Sequence, residues 1–149
     1  MDFQKLADSF FSPTCIVSVE KTAQGGYGAI RLVAVNRKHL RMIDMRLKSE
    51  QCDAADDASP VFVPNSLYTK YFPHNDSFED VCFRAAVKHA DVHTYAHLSN
   101  VEMWFDIYAM PLDYEDGNLC YCTYTAFVRC CIRPAYRRTS WKSKSPNQS

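Results

Sequence analysis

The run from Ser77 to Val128 most constrains what this chain can fold into. A segment of helical period is followed there by three segments of strand period, joined by short polar connections. Phe78, Val81, Cys82, Ala85, Ala86 and Ala90 recur at three- and four-residue spacing, which places them on one helical stripe. Asp76 or Ser77 is expected to cap this helix, with Glu79 and Asp80 near the positive end of its dipole. The period then becomes two. From Val92 to Leu98, His93, Tyr95 and His97 share one side and Val92, Thr94, Ala96 and Leu98 the other. Ser99-Asn100 leads into a strand over 103–110, and Asp113 to Asn118 into a strand over 119–128, both rich in aromatic and β-branched residues. Links this short favour antiparallel neighbours, so the segment predicts a three-strand meander packed on a helix, with room for a ligand between them.

The N-terminal half supplies the complement. Phe3, Leu6, Ala7 and Phe10 have helical spacing and Ser12-Pro13 ends the pattern, which predicts a short N-terminal helix. Residues 15–20 and 27–36 read as the two strands of a hairpin turning at Gln24-Gly25-Gly26. Asn36 is placed to cap a helix over 37–47, with Leu40, Ile43 and Leu47 inward. An exposed loop over 49–59 and a helical turn over 66–72, bearing Leu67, Tyr68, Tyr71 and Phe72, complete the reading.

At 149 residues, 47% of them hydrophobic, the chain is long enough for one domain with a real core. No apolar run approaches the roughly 20 residues that span a bilayer, and the acidic N-terminus lacks the pattern of a signal peptide, so a cytoplasmic protein is expected. The seven cysteines are odd in number and are expected to be reduced, with Cys120 and Cys122 sharing one strand face as core residues. The zero net charge conceals a division. Residues 1–128 carry 11 basic and 17 acidic side chains, and residues 129–149 carry six basic and no acidic ones. With Pro134, Pro146 and many hydroxyl residues, the basic tail reads as a solvated disordered end rather than a nucleic-acid contact. The domain is therefore set at 1–128.

Two strands, several short helices, one longer helix and three strands is the order of the PAS fold. Pro13-Thr-Cys-Ile-Val-Ser-Val-Glu20, Gly25-Gly-Tyr-Gly28, Val63-Pro-Asn65 with Tyr68 and Tyr71, His93-Thr-Tyr95 and Tyr121-Cys-Thr-Tyr-Thr125 resemble the N-terminal PAS-like sensory region of bacterial signalling proteins, often joined to diguanylate cyclase domains. The resemblance covers roughly residues 6–128. It implies an α+β, PAS-like five-stranded antiparallel sheet with helices packed on one face. It also implies a function in signal transduction: detection of a small-molecule ligand or partner, homodimerisation, and control of an output domain. The chain departs from that pattern after Arg129, where no heptad-patterned linker follows and no cyclase signature is present.

Candidate ligand-orienting residues are His93, Tyr95, Trp104, Asp106, Tyr108 and Tyr124. If His93, Tyr95, Trp104, Asp106 and Tyr108 face the helices they line a pocket; if they face away they form surface pairs or contacts with a second subunit. His93 and His97, four apart on a strand, are about 13 Å apart along the backbone and suit no single metal. A flavin or haem is compatible with such a fold, but no residue pattern demands one, and the cofactor is left unknown. An enzyme would need Cys82 or Cys120 as a nucleophile activated by His89 or His93, and no catalytic motif surrounds any of them. The principal alternative is an interaction module that dimerises without a small ligand, for which exposed Trp104 or Tyr108 would be the mark.

Overall fold

A computed structural model describes residues 1–50, 61–98 and 103–129, with 44–50 and Leu98 described by backbone alone. Helix α1 (Phe3–Asp8) precedes strands β1 (Thr14–Lys21) and β2 (Tyr27–Val35), and helix α2 (Arg37–Glu50) follows. Strand β3 (Ser66–Leu67), a 3-10 turn (Tyr68–Lys70) and helix α3 (Asp76–Ala86) lead to β4 (Val92–Leu98), β5 (Met103–Asp116) and β6 (Leu119–Arg129). The strands form one sheet in the order β3-β2-β1-β6-β5-β4, antiparallel at every pairing. The fold is α+β. Six strands form the sheet instead of the expected five, because Ser66 and Leu67 extend beside Leu32 and Arg31 before the chain coils at Tyr68.

Alternation along β1 divides the core. Cys15, Val17 and Val19 point to the side covered by α2, the 3-10 turn and α3, where they pack with Leu32, Ile43, Tyr71, Cys82 and Cys122. Ile16 points to the opposite side and meets Ala7 of α1 together with Val33, Ala34 and Tyr121. The helices are thus not all on one face, as the resemblance implied. Phe3 explains why α1 chooses the other side, since its ring stacks on Tyr121 at 4.6 Å and meets Tyr114 edge-on at 5.6 Å. Both aromatics project from that face, so a short helix finds apolar cover there without a long stripe of its own.

Two bulges shape β2. Ile16 pairs with Ala34 and Val17 with Leu32, so Val33 is the extra residue, and Val33 and Ala34 both turn to the α1 side. Nearer the hairpin, a Cβ at Gly28 would come within 2.6 Å of Glu20 Oε1, so any larger residue there would push the end of the Glu20 side chain aside. At the other tight turn Gly117, with φ +62, occupies the first of two central positions between the paired Asp116 and Leu119. Strand β5 therefore runs to Asp116, well past the expected end at Met110, with a register shift between Pro111 and Glu115.

Polar caps tie these layers. Asn36 caps α2: its Oδ1 accepts from His39 N at 3.0 Å and from Thr14 N at 3.1 Å, and its Nδ2 donates to Ser12 O at 2.8 Å. The cap of α3 is Asn75, whose side chain accepts from Phe78 N, rather than Asp76 or Ser77. Leu40, expected inward on α2, is exposed, and Phe10 lies beyond the end of α1. Among the described side chains of α2, His39 and Ile43 are the buried ones, since the helix begins at Arg37 with Asn36 bound to β1 and presents its third and seventh residues to the sheet. Ser49 and Glu50, expected to open an exposed loop over 49–59, belong to α2; the rest of that loop, the expected turn at Ser99-Asn100, the tail from Cys130 and the side chain of Leu47 lie outside the described residues.

His39 is buried, and its Nδ1 has no hydrogen-bond partner among the described residues. Burial lowers its pKa from 6.5 to about 4. A base whose folded pKa is depressed favours folding while neutral, so this contribution is present above pH 6.5 and is lost as pH falls toward 4. By linkage, at pH 4.5 the chain is expected to lose about 2–3 kcal/mol from this group relative to pH 7. Urea unfolding of the parent and of His39→Leu at both pH values checks this: the variant should lack that increment while retaining the acid sensitivity of the carboxylates.

Candidate functional site

The half of the α1-side sheet face that α1 does not reach carries five of the six expected site residues. Register does this: His93 pairs with Tyr108, Tyr95 with Asp106 and His97 with Trp104 across β4 and β5. Across β5 and β6, Trp104 pairs with Arg129, Asp106 with Phe127 and Tyr108 with Thr125. Three cross-strand rows result, on the face turned away from α2 and α3. Phe105, Ile107 and Ala109, which alternate with them, are buried on the helix side.

Within this face Asp106 is the electrostatic centre. One carboxylate oxygen lies 3.4 Å from His93 Nε2 and the other 3.3 Å from Arg129 Nε. The Arg129 guanidinium also lies over the Tyr95 ring at 4.5 Å. His93 stacks on Tyr108 with centroids 4.3 Å apart and rings within 6° of parallel, and His97 stacks on Trp104 at 4.5 Å. Tyr108 meets Phe127 edge-on. These contacts hold the aromatic side chains in fixed orientations on the sheet, yet Tyr95, Trp104, Tyr108, Met110 and Phe127 remain between 39% and 52% exposed. Phe10 and Phe11, on the link leaving α1, wall one side of a groove of about 520 Å³ floored by Asp106, Tyr108, Met110, Thr125 and Phe127.

Tyr124 is separated from the other five. It lies on the helix side of β6, half-buried, with Phe78 of α3 edge-on at 4.8 Å. His93, Tyr95, Trp104, Asp106 and Tyr108 thus lie together on a surface, while Tyr124 belongs to the inner core. Strand period predicted that His93 and Tyr95 share a face. The sequence carries no signal for Arg129 and Phe127, which join the site only through the β5–β6 register.

A second polar cluster lies at the start of α3. Glu79 accepts from Tyr27 at 2.8 Å on one oxygen and from Tyr68 at 2.5 Å on the other, joining β2, the 3-10 turn and α3. The Tyr68 hydrogen bond, opposed by partial burial, leads the causes that hold the Glu79 pKa below the usual value. Tyr27 is pushed up to about 12, chiefly by donating to Glu79, and Tyr68 to about 12 by burial and then by the same carboxylate. His74 approaches this group from outside.

The cysteines expected in an enzyme behave as core. Cys82 and Cys120 are buried, and burial pushes both thiols up, the reverse of what activates a nucleophile. His89 faces Glu115 at 3.7 Å, and His93 faces Asp106. Cys15, Cys82, Cys120 and Cys122 are free thiols.

The arrangement defines an α+β domain with an apolar helix-side core and an aromatic sheet face that the described helices cover only in part. No family model matches the sequence, and no curated protein does. Among the described residues, no helix is long and apolar enough to cross a membrane.

Tyr68 accepts from Asn75 N at 3.0 Å while donating to Glu79, so one hydroxyl serves both the cap and the carboxylate. Tyr68→Phe removes a hydrogen bond to a charged group and leaves the Asn75 amide without its acceptor. A loss of about 1–3 kcal/mol in urea unfolding is expected, with far-UV circular dichroism unchanged at zero urea.

Proposed function

We propose that this chain is a PAS-like sensory module of bacterial signal transduction, without catalysis of its own, that works in the cytoplasm by pairing with a second copy through its uncovered sheet face. The observation that carries the reading is the exposed aromatic face of β4, β5 and β6. Monomeric surfaces seldom leave several large aromatic side chains contiguous and exposed, and fixed aromatics flanked by paired charges are typical of protein contacts. Asp106 has His93 on one side and Arg129 on the other, so its charge is locally compensated and an identical surface can approach without strong like-charge repulsion. The link carrying Phe10 and Phe11 borders the face, which gives a two-fold mate both a floor and a wall.

The organisation of two strands, helices and a three-strand meander closed into one antiparallel sheet supports the sensory part of the reading. Bound signal would act by changing how α2, the 3-10 turn and α3 lie on the inner face. That change would reach the outer face through strands the two faces share. Native mass spectrometry of protein purified from cells, compared with the denatured mass, tests for a ligand: a mass lost on denaturation supports a ligand-bearing sensor.

Pairing itself is tested by light scattering after size exclusion. A dimer is expected for the parent chain, and Trp104→Ala with Tyr108→Ala should weaken it at least tenfold, since truncating a central aromatic anchor typically removes more than about 1 kcal/mol. A parent that stays monomeric at high concentration would overturn the pairing, and a dimer insensitive to both substitutions would move it to another surface.

A further inference from the structure

The start of α3 holds a second arrangement that the sheet face does not use. We propose that His74, Asp76 and Glu79 form a binding site for a divalent first-row transition-metal ion. His74 Nε2 lies 3.4 Å from Asp76 Oδ1 and 3.2 Å from Glu79 Oε2, and the three ligand atoms all lie within 4.8 Å of one another. Ligands about 2.1 Å from a metal and separated by 90–109° are roughly 3.0–3.4 Å apart, so both separations from His74 match a common coordination sphere.

Local structure creates this convergence. Asp76 and Glu79 are three apart in the first turn of α3 and therefore share a helix face. Asn75, the extended cap residue, turns the chain so that His74 lies back over that face. Glu79 is the anchored member: Tyr27 and Tyr68 donate to its two oxygens from β2 and the 3-10 turn. Such support orients a ligating carboxylate and is a regular part of metal sites. His74 and Asp76 are exposed, which leaves an entry path and room for water to complete the coordination.

One imidazole and two carboxylates suit the borderline-to-hard ions of the series, Mn²⁺ through Zn²⁺, with carboxylate charge offsetting the positive end of the helix dipole. The bound ion would tie the residue before the α3 cap to the Glu79 clamp, and so fix the helix start against β2 and the 3-10 turn. This site stands independently of the pairing through the sheet.

Isothermal titration of the full reduced chain with Co²⁺, repeated on His74→Ala and Asp76→Asn, tests the site. A saturable event that weakens at least tenfold in both variants is expected. Both side chains are exposed, so the fold should persist, and circular dichroism verifies that it does. No saturable event up to millimolar Co²⁺, or one with the same affinity in both variants, as binding to thiols would give, overturns the proposal.

Discussion

The pairing of β1 with β6 is the constraint on which the rest of the structure depends. Seven consecutive pairs, from Thr14 opposite Thr125 to Glu20 opposite Leu119, join the first strand of the chain to the last. This long-range ladder brings the N-terminal hairpin and the C-terminal meander into one sheet. It also aligns their alternation, so that Cys15, Val17 and Val19 share a face with Cys120 and Cys122. A one-residue slip would turn those apolar side chains outward, which is why register here is strongly specified. The buried hydroxyls of Thr14 and Thr125, 3.0 Å apart, satisfy each other at one end of the ladder.

Polar side chains join the layers where apolar packing alone would leave backbone groups unmatched. Asn36 binds the start of α2, the first amide of β1 and the carbonyl of Ser12 with a single amide group. Glu79, on α3, is joined through two phenols to two other segments of chain, β2 and the 3-10 turn. Both lie at helix starts, where unpaired amide groups and the dipole make an oxygen acceptor most useful. At Asn36 tertiary contact and helix capping use the same atom, since Oδ1 accepts from both Thr14 N and His39 N.

The two faces of the sheet have different chemistry because they have different cover. On the helix side, thiols, small residues and aliphatic groups fill the space beneath α3. On the other, α1 is only six residues long and reaches β1, β2, the far end of β5 and the first part of β6. Beyond its reach the aromatic rows of β4 to β6 are left open, held by stacking and by Asp106 rather than by burial. The same shortness of α1 that limits the core thus creates the surface on which the proposed pairing rests.

The sequence by itself determined the identity of most elements. Three-four spacing located α3, period two located β4, aromatic and β-branched content after a turn located β6, Gln24-Gly25-Gly26 located the hairpin turn, and all of these depend on neighbours within a few residues. It also determined that His93, Tyr95 and His97 share one side of a strand, since alternation is a property of the strand alone. Which side faces the helices was decided only by the tertiary structure, because both sides of β4 and β5 carry large or apolar residues and local pattern does not choose between them. The sixth strand, the burial of His39 in place of Leu40, the outward face of Trp104 and Tyr108, and the meeting of Asp106 with Arg129 followed from register, from the Asn36 anchor of α2 and from the position of α1. Those are contacts between residues far apart in the chain, whose energies no local spacing encodes.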